Sequence, residues 1–124
     1  KNLGFSDGCA DALYLPVDSA DDAPTVAAQE ADPASLLNTL RSLLALRHAE
    51  RDLQADGEFE TLCREKNSPF VYRRGRLILA VNPSGETLSA QVPVSGRQAI
   101  FTLGSFAAAD GVLTLSPQSF VVLK

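Results

Sequence analysis

The change of hydrophobic period near residue 57 constrains the fold of this chain more than any other feature. Before it, "DPASLLNTLRSLLALRHAERDL", residues 32–53, repeats apolar residues at helical spacing. Leu36, Leu37, Leu40, Leu43 and Leu44 cover an arc of roughly 120° at 100° per residue, which makes one apolar stripe. Leu46 lies off that stripe. Asp32 is placed to cap the helix, and Pro33 would then hold its first position, where a missing N–H costs nothing. Arg47, His48 and Arg51 fall in the last turns, where cations suit the negative end of the helix dipole. The spacing predicts one helix over about 33–53.

After residue 57 the period becomes that of strands. Segments 58–64, 70–74, 77–82, 87–92, 98–103, 112–115 and 119–124 are short β candidates separated by Pro, Gly and Asn-Pro signals. Strands of this length and spacing argue for an antiparallel β-sandwich. "LILAV" and "FVVL" are apolar throughout, as central strands covered on both faces should be, whereas "TLSAQV" alternates. In "RRGR", Gly75 can take the positive φ of a tight hairpin. In "NPSGE", Pro83 suits the second position of a turn and Gly85 can take φ > 0. Residues 1–31 show no sustained periodicity, and a loop of about thirty residues is uncommon inside a compact domain unless it is functional. The expected organisation is therefore a loop and helix over 1–56, and a mainly β domain over 57–124 that folds autonomously. The chain reads as a piece cut out of a larger protein.

Composition excludes several functions. A net charge of −4 over 124 residues, with Asp18, Asp21, Asp22, Glu30 and Asp32 grouped early, disfavours nucleic acid as a partner. No apolar run approaches the ~18 residues of a membrane span. Arg73, Arg74 and Arg76 form the one basic cluster, which a soluble hairpin tip explains better than a phosphate site. Cys9 and Cys63 lack metal-ligand spacing and read as two free thiols, although one disulfide is possible. His48 has no nucleophile motif to serve. No cofactor or metal site is expected.

Several segments resemble the α-glucosidase-type members of the α-amylase family, glycoside hydrolase family 13. Asn2, Gly4, Phe5 and Ser6 resemble the "NAGFS" that follows the substrate-binding "RTPMQW" segment of that family. "YLPV", residues 14–17, resembles its "WLPV". Residues 25–47, "TVAAQEADPASLLNTLRSLLALR", are similar to "NVxxQxxDPxSxLNxYRxLIxLR", departing from it at Thr25 and Leu40. The closing "LSPQSFVVLK" resembles the "LxPxxxxVL" ending of the family's C-terminal domain. Leu3 replaces the usual Ala, and "DGCADAL" has the look of an insertion.

The resemblance implies an antiparallel Greek-key β-sandwich, preceded by the tail of the eighth loop and the last helix of a (β/α)₈ barrel. It implies a parent enzyme that cleaves or transfers α-glucosidic bonds with retention, using carboxylates that lie on earlier barrel strands. No catalytic residue is expected within this chain, which would act as a non-catalytic region stabilising the barrel and walling the substrate mouth. Asn2 and Phe5 are the substrate-proximal candidates. The implied partners are the catalytic barrel and, in the parent, an α-glucoside or oligosaccharide. Leu36, Leu40, Leu43 and Leu44 could also support self-association. The subgroup favours a cytoplasmic location. The alternative is a free-standing carbohydrate-binding or structural β-sandwich module, which the lack of Trp disfavours.

Overall fold

The computed structural model describes residues 2, 6–18 and 20–124. It divides into two compact units, Lys1–Leu46 and Arg47–Lys124.

The first unit carries a short 3₁₀ turn, Ala10–Ala12, and two helices, α1 (Val26–Ala31) and the start of α2 (Leu36–Ala49). Thr25 caps α1, its hydroxyl accepting from the N–H of Ala28 at 3.1 Å. The expected 33–53 helix begins later than its caps suggested. Asp32 instead organises a turn. Its carboxylate accepts from the Ala34 N–H at 2.9 Å, and its carbonyl accepts from the Ser35 N–H at 3.0 Å. Pro33 therefore sits in that turn, and Ser35 is the cap, its Oγ accepting from the Asn38 N–H at 3.3 Å. At the other end α2 stops at Ala49, and a separate 3₁₀ turn occupies Arg51–Leu53.

The polar residues between the helices form a knot. The Asn38 amide donates to the carbonyls of Gln29 (2.9 Å) and Asp32 (2.8 Å). The Ser35 hydroxyl donates to the Gln29 carbonyl at 2.6 Å, and the Gln29 side-chain oxygen accepts from the Leu37 N–H at 3.1 Å. Arg41 pairs with Glu30 at 2.9 Å. Gln29, Asp32, Ser35 and Asn38 are the polar positions of the "QxxDPxSxLN" pattern. Their spacing is thus explained by the need to satisfy backbone groups freed where α1 ends and α2 begins. The leucines of α2 split by exposure: Leu36, Leu40 and Leu44 face solvent at 78%, 51% and 47%, while Leu37, Leu43 and Leu46 are half-buried.

The second unit is a β-sandwich of eight strands: β1 (Glu60–Cys63), β2 (Phe70–Arg74), β3 (Leu77–Asn82), β4 (Leu88–Gln91), β5 (Ala99–Leu103), β6 (Phe106–Ala109), β7 (Val112–Leu115) and β8 (Ser119–Leu123). The expected antiparallel, mainly β architecture is present. One sheet runs β1-β2-β3-β8-β5 and the other β4-β7-β6. β6 was not expected, because "FAAA" offers one aromatic and three alanines, a composition with weak strand preference. Its Asp110–Gly111 turn was the legible signal: both residues have positive φ (52° and 78°), as a two-residue hairpin requires.

The apolar strands occupy the centre, as their composition predicts. β3 and β8 pair with each other, and Leu77, Ile78, Ala80, Val121 and Val122 are fully buried. Val71 lies opposite Ala80, and Ala80 opposite Val121, so these three share one face. That face meets Ala90, Val92, Val94, Leu113 and Leu115 of the smaller sheet and its following turn to form the core. On β4, Ser89 is exposed and Ala90 buried, the alternation expected of a half-exposed strand.

Gly75 has φ +52° and forms the β2–β3 hairpin as expected. The 83–85 turn is built differently. Gly85 is not in the left-handed region. Asn82, fully buried, shapes the turn by accepting from the N–H and hydroxyl of Ser84, at 3.0 and 2.7 Å. Its amide donates to the carbonyls of Glu86 (2.7 Å), Leu115 (3.3 Å) and Ser116 (2.8 Å), joining the two sheets.

Candidate functional site

The loop of the first unit holds the residues proposed from sequence to lie near substrate. Asn2 has φ 48° and uses its side-chain amide within the loop, donating to the carbonyls of Ser6 (2.8 Å) and Gly8 (2.9 Å). The Ser6 hydroxyl in turn accepts from the Gly8 N–H at 3.0 Å. Phe5 lies outside the described residues. A cavity of about 400 Å³ opens beside Asn2, lined also by Ser6, Leu13, Leu15, Pro16 and Val17, with Asp18 at its edge. Its lining is mostly apolar with a few hydroxyl, amide and carboxylate groups. Sequence reading singled out Asn2 but not Leu13 or Asp18, because their approach depends on the fold of residues 7–13, where no motif is available.

Asp18, Asp21 and Asp22 are all exposed. Asp18 accepts from the Ala20 N–H at 3.0 Å, a local turn bond. Among the described residues no group of three His, Cys, Asp or Glu is placed to hold a metal ion. His48 is exposed in the last turn of α2. Cys9 is exposed, Cys63 is half-buried, and both are free thiols. No helix among the described residues is long and apolar enough to cross a membrane.

The basic cluster on the β2–β3 hairpin is divided among separate partners. Arg73 pairs with Glu60, Arg74 donates to the Gln54 carbonyl at 2.6 Å, and Arg76 pairs with Asp52 at 3.2 Å. Guanidinium groups committed in this way do not converge on one anion.

Aromatic rings line the face of the larger sheet turned away from the core. Phe59 and Phe70 flank Tyr72 with ring centroids 5.2 and 5.3 Å away, at interplanar angles of 29° and 30°. Stacked like this, the rings turn their faces toward one another. A sugar platform would present them side by side to solvent. Burial pushes the Tyr72 phenol up, and the nearby Arg74 charge works against that shift.

This combination of a helix-and-loop unit with an antiparallel sandwich is found in solved structures of a carbohydrate-active enzyme. The trehalulose synthase MutB, a family 13 sucrose isomerase, matches the whole chain in crystals soaked with trehalulose, with a TM-score of 0.82 at 22% identity. A variant of MutB in complex with its substrate sucrose matches 99% of the chain with a TM-score of 0.81 at 23% identity. MutB from Pseudomonas mesoacidophila in a monoclinic form matches 90% with a TM-score of 0.75. The chain spans 23% of the first two of these structures and 21% of the third. No family model matches the sequence, and no curated protein matches it. The chain therefore shares the fold of the corresponding region of MutB.

Proposed function

We propose that this chain is the C-terminal, non-catalytic region of a retaining glycoside hydrolase or transglycosidase acting on α-glucosidic bonds. The observation that carries this reading is the match over the whole chain, at a TM-score of 0.82, to less than a quarter of MutB. In the parent, residues 1–56 are the tail of the eighth barrel loop with the last barrel helix, and residues 57–124 are the sandwich that stabilises the barrel. The cavity beside Asn2 belongs to the wall of the substrate mouth, with Phe5 the second substrate-proximal residue. Sucrose, the substrate bound in one neighbour, represents the substrate class. The mutual stacking of Phe59, Tyr72 and Phe70 speaks against the free-standing carbohydrate-binding alternative.

Alone, the chain is expected to show no glycosidase activity, since no acid and nucleophile pair is assembled among its described carboxylates. Purified protein assayed with an aryl α-glucoside should match a mock preparation. Hydrolysis well above that background contradicts the assignment.

The exposed leucines carry the partner reading. Leu36, Leu40 and Leu44 lie in one i, i+4, i+8 row on α2, with Leu43 half-buried beside them. Burying a leucine is worth roughly 1.5–3 kcal/mol, so such a row is unfavourable in water. The barrel covers it in the parent. Without the barrel, a second copy covers it through a two-fold helix contact. Sedimentation should show a concentration-dependent dimer that the Leu40→Glu, Leu44→Glu double variant abolishes. A wild type that stays monomeric at high concentration removes this proposal.

A further inference from the structure

Residues 50–57 run from the end of α2 to the sandwich and contain no buried side chain. Polar ties hold them instead, and those that leave the segment toward the sandwich end on the β2–β3 hairpin or on Lys124. Glu50 accepts from the Lys124 ammonium through both carboxylate oxygens, at 2.7 and 2.9 Å. Asp52 accepts at one oxygen from the Arg76 backbone N–H (3.0 Å) and the Arg76 Nε (3.2 Å). The Gln54 carbonyl accepts from Arg74, and the Arg76 carbonyl accepts from Arg97 at 2.5 Å.

The fit is close at two points. A Cβ on Gly75 would lie 2.6 Å from the Asp52 carboxyl carbon, and one on Gly57 would lie 2.5 Å from the Asp52 carbonyl oxygen. Asp52 thus fills the space over the hairpin turn, with its side chain 21% exposed.

We propose that residues 50–57 form a latch that opens as a unit of its own, before the sandwich, and that the Asp52 carboxylate is its main fastening. A segment with few apolar contacts and many exposed polar ties is the kind that opens below the global unfolding threshold. The core strands β3 and β8, mostly apolar, largely buried and paired along their length, stay closed through such an opening. A carboxylate accepting from a backbone N–H and a guanidinium together makes the stronger, charge-assisted bonds.

Acidity should open the latch. The charged groups around Asp52 are Arg76 and Arg74 on the hairpin, Lys124 at the end of the chain, and Glu50, Arg51 and Asp56 within the latch itself. The Arg76 N–H holds the Asp52 carboxyl below its usual value; burial opposes this, and the Arg76 guanidinium and Lys124 reinforce it. A depressed folded-state value means the fastening is complete above the ordinary carboxylate range and is lost as pH falls through the lowered value.

Hydrogen exchange of the 124-residue chain at fixed neutral pH, read by mass spectrometry, tests the proposal. In Asp52→Ala, amides of residues 51–57 and of Arg76 should exchange about tenfold faster than in wild type, with β3 and β8 unchanged. Asp52→Asn keeps an acceptor without the charge and should fall between the two, and it keeps the test readable if Asp52→Ala does not fold. Unchanged exchange of residues 51–57 in either variant overturns the proposal. So does an acceleration that spreads equally to β3 and β8.

Discussion

Asn82→Asp is expected to destabilise the sandwich by roughly 3–5 kcal/mol, the scale at which a buried charge is left without a partner. Asn82 is fully buried, and its amide faces three carbonyl oxygens across the two sheets. Aspartate has nearly the same shape, so packing is unchanged. The substitution removes both donor hydrogens and sets an anion against three acceptors. Because burial against those oxygens raises the folded-state carboxyl value, protonation relieves the repulsion as pH falls through that raised value, so the deficit should shrink on going from neutral pH down to the ordinary carboxylate range. Urea unfolding of both proteins at neutral and acidic pH checks this. A loss below about 1 kcal/mol at neutral pH would mean that Asn82 does not join the sheets.

Leu113→Ala should cost about 2–5 kcal/mol by leaving a cavity in the core. Leu113 is fully exposed to neither sheet edge nor solvent: it is 0% accessible, pairs with Ala90 on one side and Ala108 on the other, and belongs to the main cluster. Its neighbours across the strands are alanines, too small to move into the vacated space. The control is Ala108→Ser, an exposed position on the adjoining strand, which should change stability by less than about 0.5 kcal/mol. Equal midpoints for Leu113→Ala and wild type would contradict the assignment of the core.

The parts of this fold that were legible in the sequence are those where composition and period agree. The apolar runs "LILAV" of β3 and "FVVL" of β8 could be placed at the centre of a sheet because no other position hides both faces. Gly75 announced a hairpin because few residues accept its φ. The places that misled are those where a side chain supersedes the local signal. Asp32 and Pro33 look like a helix start, yet Ser35 provides the cap, since the Asp32 carboxylate is used in the turn before it. Gly85 looked like the pivot of its turn, but the buried Asn82, distant in no propensity scale from any other Asn, sets the backbone there. α1 is six residues long, too short for a period to show.

The candidate site was legible only as a resemblance. Asn2 is placed beside a cavity, but its amide is used to fold its own loop. The groups that complete the lining come from residues 13–18, brought near by a fold that no local pattern announces. The pattern that stood out most, over residues 25–47, turned out to specify the hydrogen-bonded knot between α1 and α2. Its polar positions satisfy backbone groups rather than substrate.

The measurement that tests the central claim most directly is the coding sequence read upstream of the codon for Lys1. The account predicts an open frame in phase with this chain that encodes a (β/α)₈ barrel carrying a carboxylate nucleophile, a glutamate acid/base and a stabilising aspartate. A stop codon in that frame with a start immediately before Lys1, or an unrelated upstream domain, would contradict it.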